Sequence, residues 1–358
     1  MRDFGLDYYL HNDPRLSVAW GPWFSHEYIN YYPVIASASL MDLPPVPVMP
    51  NPRQTDDTWA IGPRHVDLYK ESYQIVRQLD LLHSFAYDTR NGDFSAIPPL
   101  DVTIEPWKIL VIYGTEPDLL LDCDLTLDKL QKFTGGSHGW RHMQFSVLGF
   151  KIGILADSFL HSRRMAEWAM NQGNDYWRWR YLARCMHYLA DMGNPFHVKS
   201  APRGLFLKKI FSYTELFRIL STVHQSYEIY VERRFREGFP VFKDALTQGA
   251  RKGMDTHDDV TAGLSEYIRH SRNRMKPIFN FIIDHFGQEL IDVFSHIDQK
   301  GKLDASKQVN LCSANASKII FSESRSFSLD FLDKITADIL FDVGKMLGSF
   351  LARLETRH

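Results

Sequence analysis

Apolar residues recur at three- and four-residue intervals over much of the chain. The pattern is plain in "VDLYKESYQIVRQLDLL" (66–82), "QFSVLGFKIGILADSFL" (144–160), "KPIFNFIIDHFGQELIDVF" (276–294) and "DILFDVGKMLGSFLARL" (338–354). Such spacing gathers the apolar side chains on one stripe of an α-helix and predicts an amphipathic helix in each case. A further helix is predicted from about Tyr176 to Met192, stopped by Pro195, whose ring and missing N–H cannot continue it. No strand-like alternation of comparable length competes. The stretch "LMDLPPVPVMPNP" (40–52) holds prolines too densely for a helix and predicts an extended connection. The expected fold is therefore mainly α: a single multi-helix domain over 1–358 with a loop-rich N-terminal third. Its motif-bearing core is expected at about 105–235, and the helices of 236–358 complete the body. No internal repeat suggests a solenoid.

Composition narrows the partners. In 358 residues, 44% hydrophobic and 23% charged side chains with a formal net charge of -2 give a chain that can bury a real core. That charge exerts no general pull on nucleic acid or anionic lipid, so any such partner must be met by a local patch. The three cysteines, Cys123, Cys185 and Cys312, have neither the number nor the spacing of a disulfide framework. The opening "MRDFGLDYYLHNDPRLSVA" lacks the apolar core of a Sec signal, and no later run is long and apolar enough to span a bilayer. The expected location is the cytoplasm, or outside the cell by a route other than Sec.

Candidate chemistry collects in "CMHYLADMGNPFHV" (185–198). On the predicted helix His187 and Asp191 stand one turn apart on the same face, within reach of one metal ion. The turn at Pro195 re-aims the chain so that His197 faces the same cleft, which a straight helix would not allow. A second pair, His224 and Glu228 in "VHQSYEIYVERR", repeats the one-turn spacing. Either pair alone is commonly a surface ion pair or a hydrogen-bonded core histidine. Imidazoles and carboxylates together, without cysteine, are the ligand set of catalytic zinc sites.

In order and spacing, "HYLADMGNPFH" followed by "HQSYE" resembles the signature of the zinc-dependent phospholipases C of bacteria. The related zinc single-strand nucleases of fungi and plants share that signature. The resemblance covers about 105–235 and implies a site of two or three zinc ions. It implies that His187 and Asp191 bind one ion, that Asp191 bridges to another, and that His197, His224 and Glu228 hold a third. Asp118 and His138, in "YGTEPDLLLDCDLTLDKLQKFTGGSHGW", resemble the remaining ligands of the first ion. Asp124 in place of Asp118, and His142 in place of His138, stay open. Trp20 and His26, in "SVAWGPWFSHEYI", resemble a mature N-terminal tryptophan and the histidine that follows it in the family. Here the chain departs, because a peptide bond precedes Trp20. Either its carbonyl alone serves or cleavage after Ser17-Val18-Ala19 frees its amino group.

A cluster of zinc ions suits phosphodiester hydrolysis, with one pair activating water and another ion neutralising phosphoryl charge. By resemblance Asp118 orients or deprotonates that water as the catalytic residue. Between His197 and His224, "KSAPRGLFLKKIFSYTELFRILSTV" mixes bulky apolar residues with Arg203, Lys208, Lys209 and Arg218. The part at 203–220 fits transient contact with a phospholipid surface, and equally one more amphipathic helix sealing the core. The expected activity is that of a phospholipase C releasing diacylglycerol from lipids such as phosphatidylcholine. The alternatives are a zinc single-strand nuclease, with nucleic acid as partner, and a non-catalytic helical protein stabilised by zinc. The aromatic run "DYWRWRY" (175–181) is expected to pack the helix carrying His187; a base-stacking platform is the competing use.

Overall fold

The computed structural model describes residues 40, 42–47, 103–107, 109–110, 143–147, 150–202, 204–205, 212–256, 259–294, 314–322 and 327–355. These residues form a mainly α-helical fold, as the periodicity predicts. In chain order the strands are β1 (Val46–Pro47), β2 (Thr103–Ile104), β3 (Phe145–Val147) and β4 (Phe150–Ile152). The helices are α1 (Leu155–Asn171), α2 (Asp175–Gly193), α3 (Pro195–Val198), α4 (Tyr213–Arg236), α5 (Pro240–Thr256), α6 (Val260–Phe294) and α7 (Asp330–Glu355). A further helical stretch at 314–320 precedes α7 in the chain. The helix predicted over 66–82 lies outside the described residues. Among the described residues no helix is long and apolar enough to cross a membrane.

Contacts divide the chain into two compact units. The first contains β1, β2, α1 and α2 as far as Leu189; the second contains β3, β4, the end of α2 from Ala190, and the helices that follow.

In the first unit, β1 and β2 pair antiparallel with Val46 opposite Ile104, so part of the proline-rich stretch is extended as expected. Gly173, at φ +68°, turns the chain between α1 and α2 in a conformation that costs a side-chain-bearing residue about 1 kcal/mol or more. Asn174 then starts α2 by accepting a hydrogen bond from the Trp177 N–H at 3.0 Å. The rings of "DYWRWRY" lie inside: Tyr176, Trp177, Trp179 and Tyr181 are all buried. Arg180 is buried with them, its guanidinium 5.1 Å from the Trp177 ring centre and donating to the Tyr176 hydroxyl at 3.0 Å. Those rings serve packing and offer no open face on which bases would stack. Cys185 is also buried, its thiol 3.7 Å from the Phe159 carbonyl, and burial pushes that thiol's pKa up beyond the useful range of a nucleophile.

At the start of α1 one expectation is corrected. The helix predicted over 144–160 begins only at Leu155, and the residues before it form the β3–β4 pair, with Phe145 opposite Ile152 and Val147 opposite Phe150. Phe145, Val147, Phe150 and Ile152 are β-branched or aromatic, types that favour a pleated strand, and their apolar positions suit either period. A glycine at 149, in the middle of the run, is the sequence signal that separates them.

The C-terminal helices carry most of the second unit's core. Helix α6 starts from Asp259, whose carboxylate accepts from the Thr261 N–H at 2.9 Å, and it runs 35 residues through Pro277. The apolar periodicity of the sequence is plainest over 276–294, the later part of this helix. The buried series Leu264, Tyr267, Met275, Ile278, Ile282 and Phe286 spans that proline. Each fully buried apolar side chain contributes about 1.5–3 kcal/mol, so together they outweigh the roughly 3 kcal/mol that an interior proline costs.

Helices α5 and α7 pack backbone against backbone. An ideal Cβ at Gly249 would stand 2.1 Å from the Phe341 carbonyl oxygen, and one at Gly253 would stand 2.0 Å from that of Lys345. From the other side, a Cβ at Gly344 would meet the Leu246 oxygen at 2.1 Å and one at Gly348 the Ala250 oxygen at 2.0 Å. Two Gly-x-x-x-Gly pairs thus face each other with no room for a methyl group between the helices.

A second tie joins α7 to α4. Arg234 donates two hydrogen bonds to Asp333, at 2.9 and 2.7 Å, and the Tyr230 hydroxyl donates a third at 2.5 Å.

Candidate metal centre

The proline turn builds the site. Helix α2 ends at Gly193, Asn194 takes an extended conformation, and Pro195 opens the one-turn helix α3 that carries His197. Asn194 caps α3 by accepting from the Phe196 N–H at 3.1 Å. Proline at the first helical position loses nothing there, since its N–H would have no helical partner. Helix α6 holds the turn from outside: Ser271 donates to the Gly193 carbonyl and Arg272 to the Val198 carbonyl, each at 2.8 Å. The Gln144 N–H, just before β3, donates to the His197 carbonyl at 2.7 Å. Backbone groups that a broken helix would leave open are thereby satisfied.

Opposite the turn, α4 presents His224 and Glu228 one turn apart, as their spacing predicts. His197, His224 and Glu228 are all buried, and one ligand atom from each lies within 4.8 Å of the others. Glu228 Oε1 is 3.2 Å from His197 Nε2, 3.0 Å from His224 Nε2 and 3.0 Å from the Asn194 amide nitrogen. The two imidazoles meet edge to face with ring centres 4.8 Å apart, and Phe196 stacks on His224 at 5.8 Å.

Two nitrogens aimed at one carboxylate oxygen can be held by protons or by a cation. With protons, each Nε2–H donates to Oε1. With a metal, each Nε2 is bare and Nδ1 carries the hydrogen, which then wants an acceptor on the far edge of the ring. For His197 that acceptor exists. Asp191 Oδ1 lies 3.1 Å from Nδ1, at ion-pair distance though off the line of a full hydrogen bond. The three residues can hold one metal ion, and the donor set, two imidazoles and a carboxylate, suits zinc among other borderline cations.

Burial by itself lowers the His197 pKa, because it disfavours the charged ring. The charge of Asp191, the close approach of its carboxylate to Nδ1, and the hydrogen bond and charge of Glu228 together outweigh it, and the pKa is raised to about 9 in the metal-free protein.

The remaining expected ligands divide in two. His187 and Asp191 are both buried on α2, one turn apart, but neither belongs to the group of three. His187 lies in the first unit with its ring edge-on to Tyr188, and Asp191 lies in the second, beside His197. Trp20, His26, Asp118 and His138, with their alternatives Asp124 and His142, lie outside the described residues. So does 206–211 in the expected lipid-contact segment, whereas Leu216 of that segment is buried.

Two features near the site are not marked by motif. Asn194 touches both the turn and Glu228. Tyr267 of α6 is buried against Gly193: an ideal Cβ there would stand 2.5 Å from its hydroxyl and 2.2 Å from Val343 of α7. Gly193 is therefore the gap through which α6 and α7 reach the end of α2. A cavity of about 20 Å³, room for a single water, lies beside Asn194 and Glu228, with Tyr227, Thr336 and Val343 among its walls.

Compared with family models, with curated proteins and with solved structures, the chain matches none.

Proposed function

We propose that this protein is a zinc metallohydrolase of phosphodiesters, and within that class a phospholipase C acting on phosphatidylcholine-like lipids. The observation that carries the reading is the buried meeting of His197, His224 and Glu228 across a proline turn. Three protein ligands including a carboxylate are the complement of a catalytic zinc ion, whereas structural zinc is usually closed by four ligands rich in cysteine. The order and spacing of "HYLADMGNPFH" and "HQSYE" supply the choice of chemistry by resemblance to the zinc phospholipases C.

In this reading His197, His224 and Glu228 hold one zinc ion, and Asp191 keeps the His197 ring turned toward it. His187, Asp118 and His138, with Asp191, are assigned by resemblance to a second ion, and Trp20 and His26 to a third. Bound zinc supplies a Lewis acid for phosphoryl oxygens and lowers the pKa of water. By the same resemblance Asp118 orients or deprotonates the attacking water. The basic and apolar residues of 203–220 meet the lipid surface; since Leu216 is buried in α4, the contact is assigned to the residues before that helix.

The test is hydrolysis by the zinc-loaded full chain, with His224→Ala as blank. Diacylglycerol released from phosphatidylcholine vesicles, and lost in the variant, supports the proposal. Release of nucleotides from single-stranded DNA without lipid hydrolysis moves the protein to the nuclease branch. Zinc binding with neither activity leaves a helical protein stabilised by its metal.

A further inference from the structure

We infer that Asn194 is a positioning residue of the metal centre, one that fixes the Glu228 carboxylate and the His197 turn with a single side chain. The inference rests on the metal-binding reading of His197, His224 and Glu228, and concerns a residue outside that ligand set.

The argument begins with the amide's two ends. Asn194 Oδ1 accepts from the Phe196 N–H at 3.1 Å, which assigns the oxygen, and leaves the NH₂ group to donate to Glu228 Oε1 at 3.0 Å. The first bond caps α3, whose third residue is His197. The second grips a ligand carried by α4, 34 residues later. Backbone bonds reinforce the placement: the Asn194 N–H donates to the Asp191 carbonyl at 3.0 Å, and the His197 N–H donates to the Asn194 carbonyl at 3.1 Å.

A carboxylate on a long side chain has several rotamers, and holding one of them costs side-chain entropy. A hydrogen bond to a charged acceptor is strong enough to offset that cost and keep the carboxylate facing the imidazoles before any ion arrives. Outer partners of this kind orient the ligands, and losing one lowers metal affinity by about 10–100-fold. An ordinary capping residue would do only the first half of this work. Serine and threonine cap nearly as well as asparagine, but neither carries the amide that reaches Glu228.

That difference supplies the experiment. Zinc affinity of the full chain is measured by competition with a chelating dye for wild type, Asn194→Ser and His224→Ala, and Co²⁺ absorption reports the ligand arrangement. Melting temperature reports the cap. The expected result is a melting temperature for Asn194→Ser near that of wild type, with zinc bound about 10–100-fold more weakly and an altered cobalt spectrum. Zinc bound by Asn194→Ser as tightly as by wild type, with an unchanged cobalt spectrum, overturns the inference and leaves Asn194 as a cap. Should the serine variant fail to fold, Asn194→Thr carries the same comparison. Failure of the underlying reading looks different: wild type then binds no zinc, or His224→Ala binds it equally well, and the inference falls with it.

Discussion

The carboxylate of Asp191 and the imidazole of His197 meet inside the protein, with 3.1 Å between Oδ1 and Nδ1, although a helix end and a proline stand between them in the chain. The contact turns the other edge of the ring, Nε2, toward Glu228 at 3.2 Å. A carboxylate behind a metal-binding imidazole fixes its tautomer and raises its basicity. Asp191→Asn keeps the shape and removes the charge. It should weaken zinc binding by about 10–100-fold in a dye-competition titration while leaving the helical circular dichroism unchanged; undiminished affinity would deny Asp191 this role.

In the metal-free protein, stability should depend on pH through the same ring. The folded protein holds the His197 proton up to about pH 9, against an ordinary value of 6.5. A raised pKa means that the folded state binds the proton more tightly than the unfolded chain. The stabilisation is therefore complete below about pH 6.5 and lost as pH rises through about 9. Melting temperature in the presence of a chelator should fall across that window. Zinc affinity should rise across it, since the metal needs the bare nitrogen. A chelated protein whose melting temperature climbs over the same range would contradict the assignment.

Glycines of the same kind should respond with opposite signs. Gly263, in α6, has nothing within 4 Å of where a Cβ would sit, so Gly263→Ala should gain about 0.5–1 kcal/mol from helix propensity. Gly253→Ala would place its methyl 2.0 Å from the Lys345 carbonyl oxygen. Overpacking of this sort costs about 1–3 kcal/mol or more and should exceed the propensity gain. Thermal melts of the two variants should move apart, and a Gly253→Ala protein as stable as wild type would show that α5 and α7 can separate at no cost.

Asp333 receives hydrogen bonds from Arg234 and Tyr230, and the side chains of the Arg234–Asp333 pair are only 18% and 14% exposed. Asp333→Ala strands a largely buried guanidinium, a change that costs about 3–5 kcal/mol for a fully buried pair and somewhat less here. Denaturant unfolding should show a loss of at least about 2 kcal/mol. Tyr230→Phe removes one hydrogen bond and should cost about 1 kcal/mol.

The sequence made the local parts of the site legible and hid the long-range ones. His187, Asp191 and Pro195 lie within nine residues, so helix periodicity and proline chemistry suffice to predict the helix, its end and the turn that returns His197. Spacing likewise put His224 and Glu228 on one face. The β3–β4 pair escaped notice because Phe145, Val147, Phe150 and Ile152 satisfy a strand as well as a helix, and only tertiary packing chooses. Asn194 read as part of a turn because its second bond goes to a residue on another helix. The glycines of α5 and α7 are some ninety residues apart, and no local pattern says that Gly253 will face Lys345. The periodicity of α6 is plainest after Pro277, yet its buried series runs on both sides of that residue.

The four-glycine contact also bears on the candidate metal centre. Two helices touching through carbonyl oxygens and bare Cα atoms have one permitted register, since a slide of a single residue would drive side chains into the opposing backbone. Helix α7 is thereby locked along its length, including Val343 at the gap left by Gly193 and Thr336, whose hydroxyl lies 3.2 Å from that of Tyr227 beside Glu228. The wall beside Glu228 is thus set as a ruler is set against a stop, with Thr336 and Val343 of α7 taking their places from it.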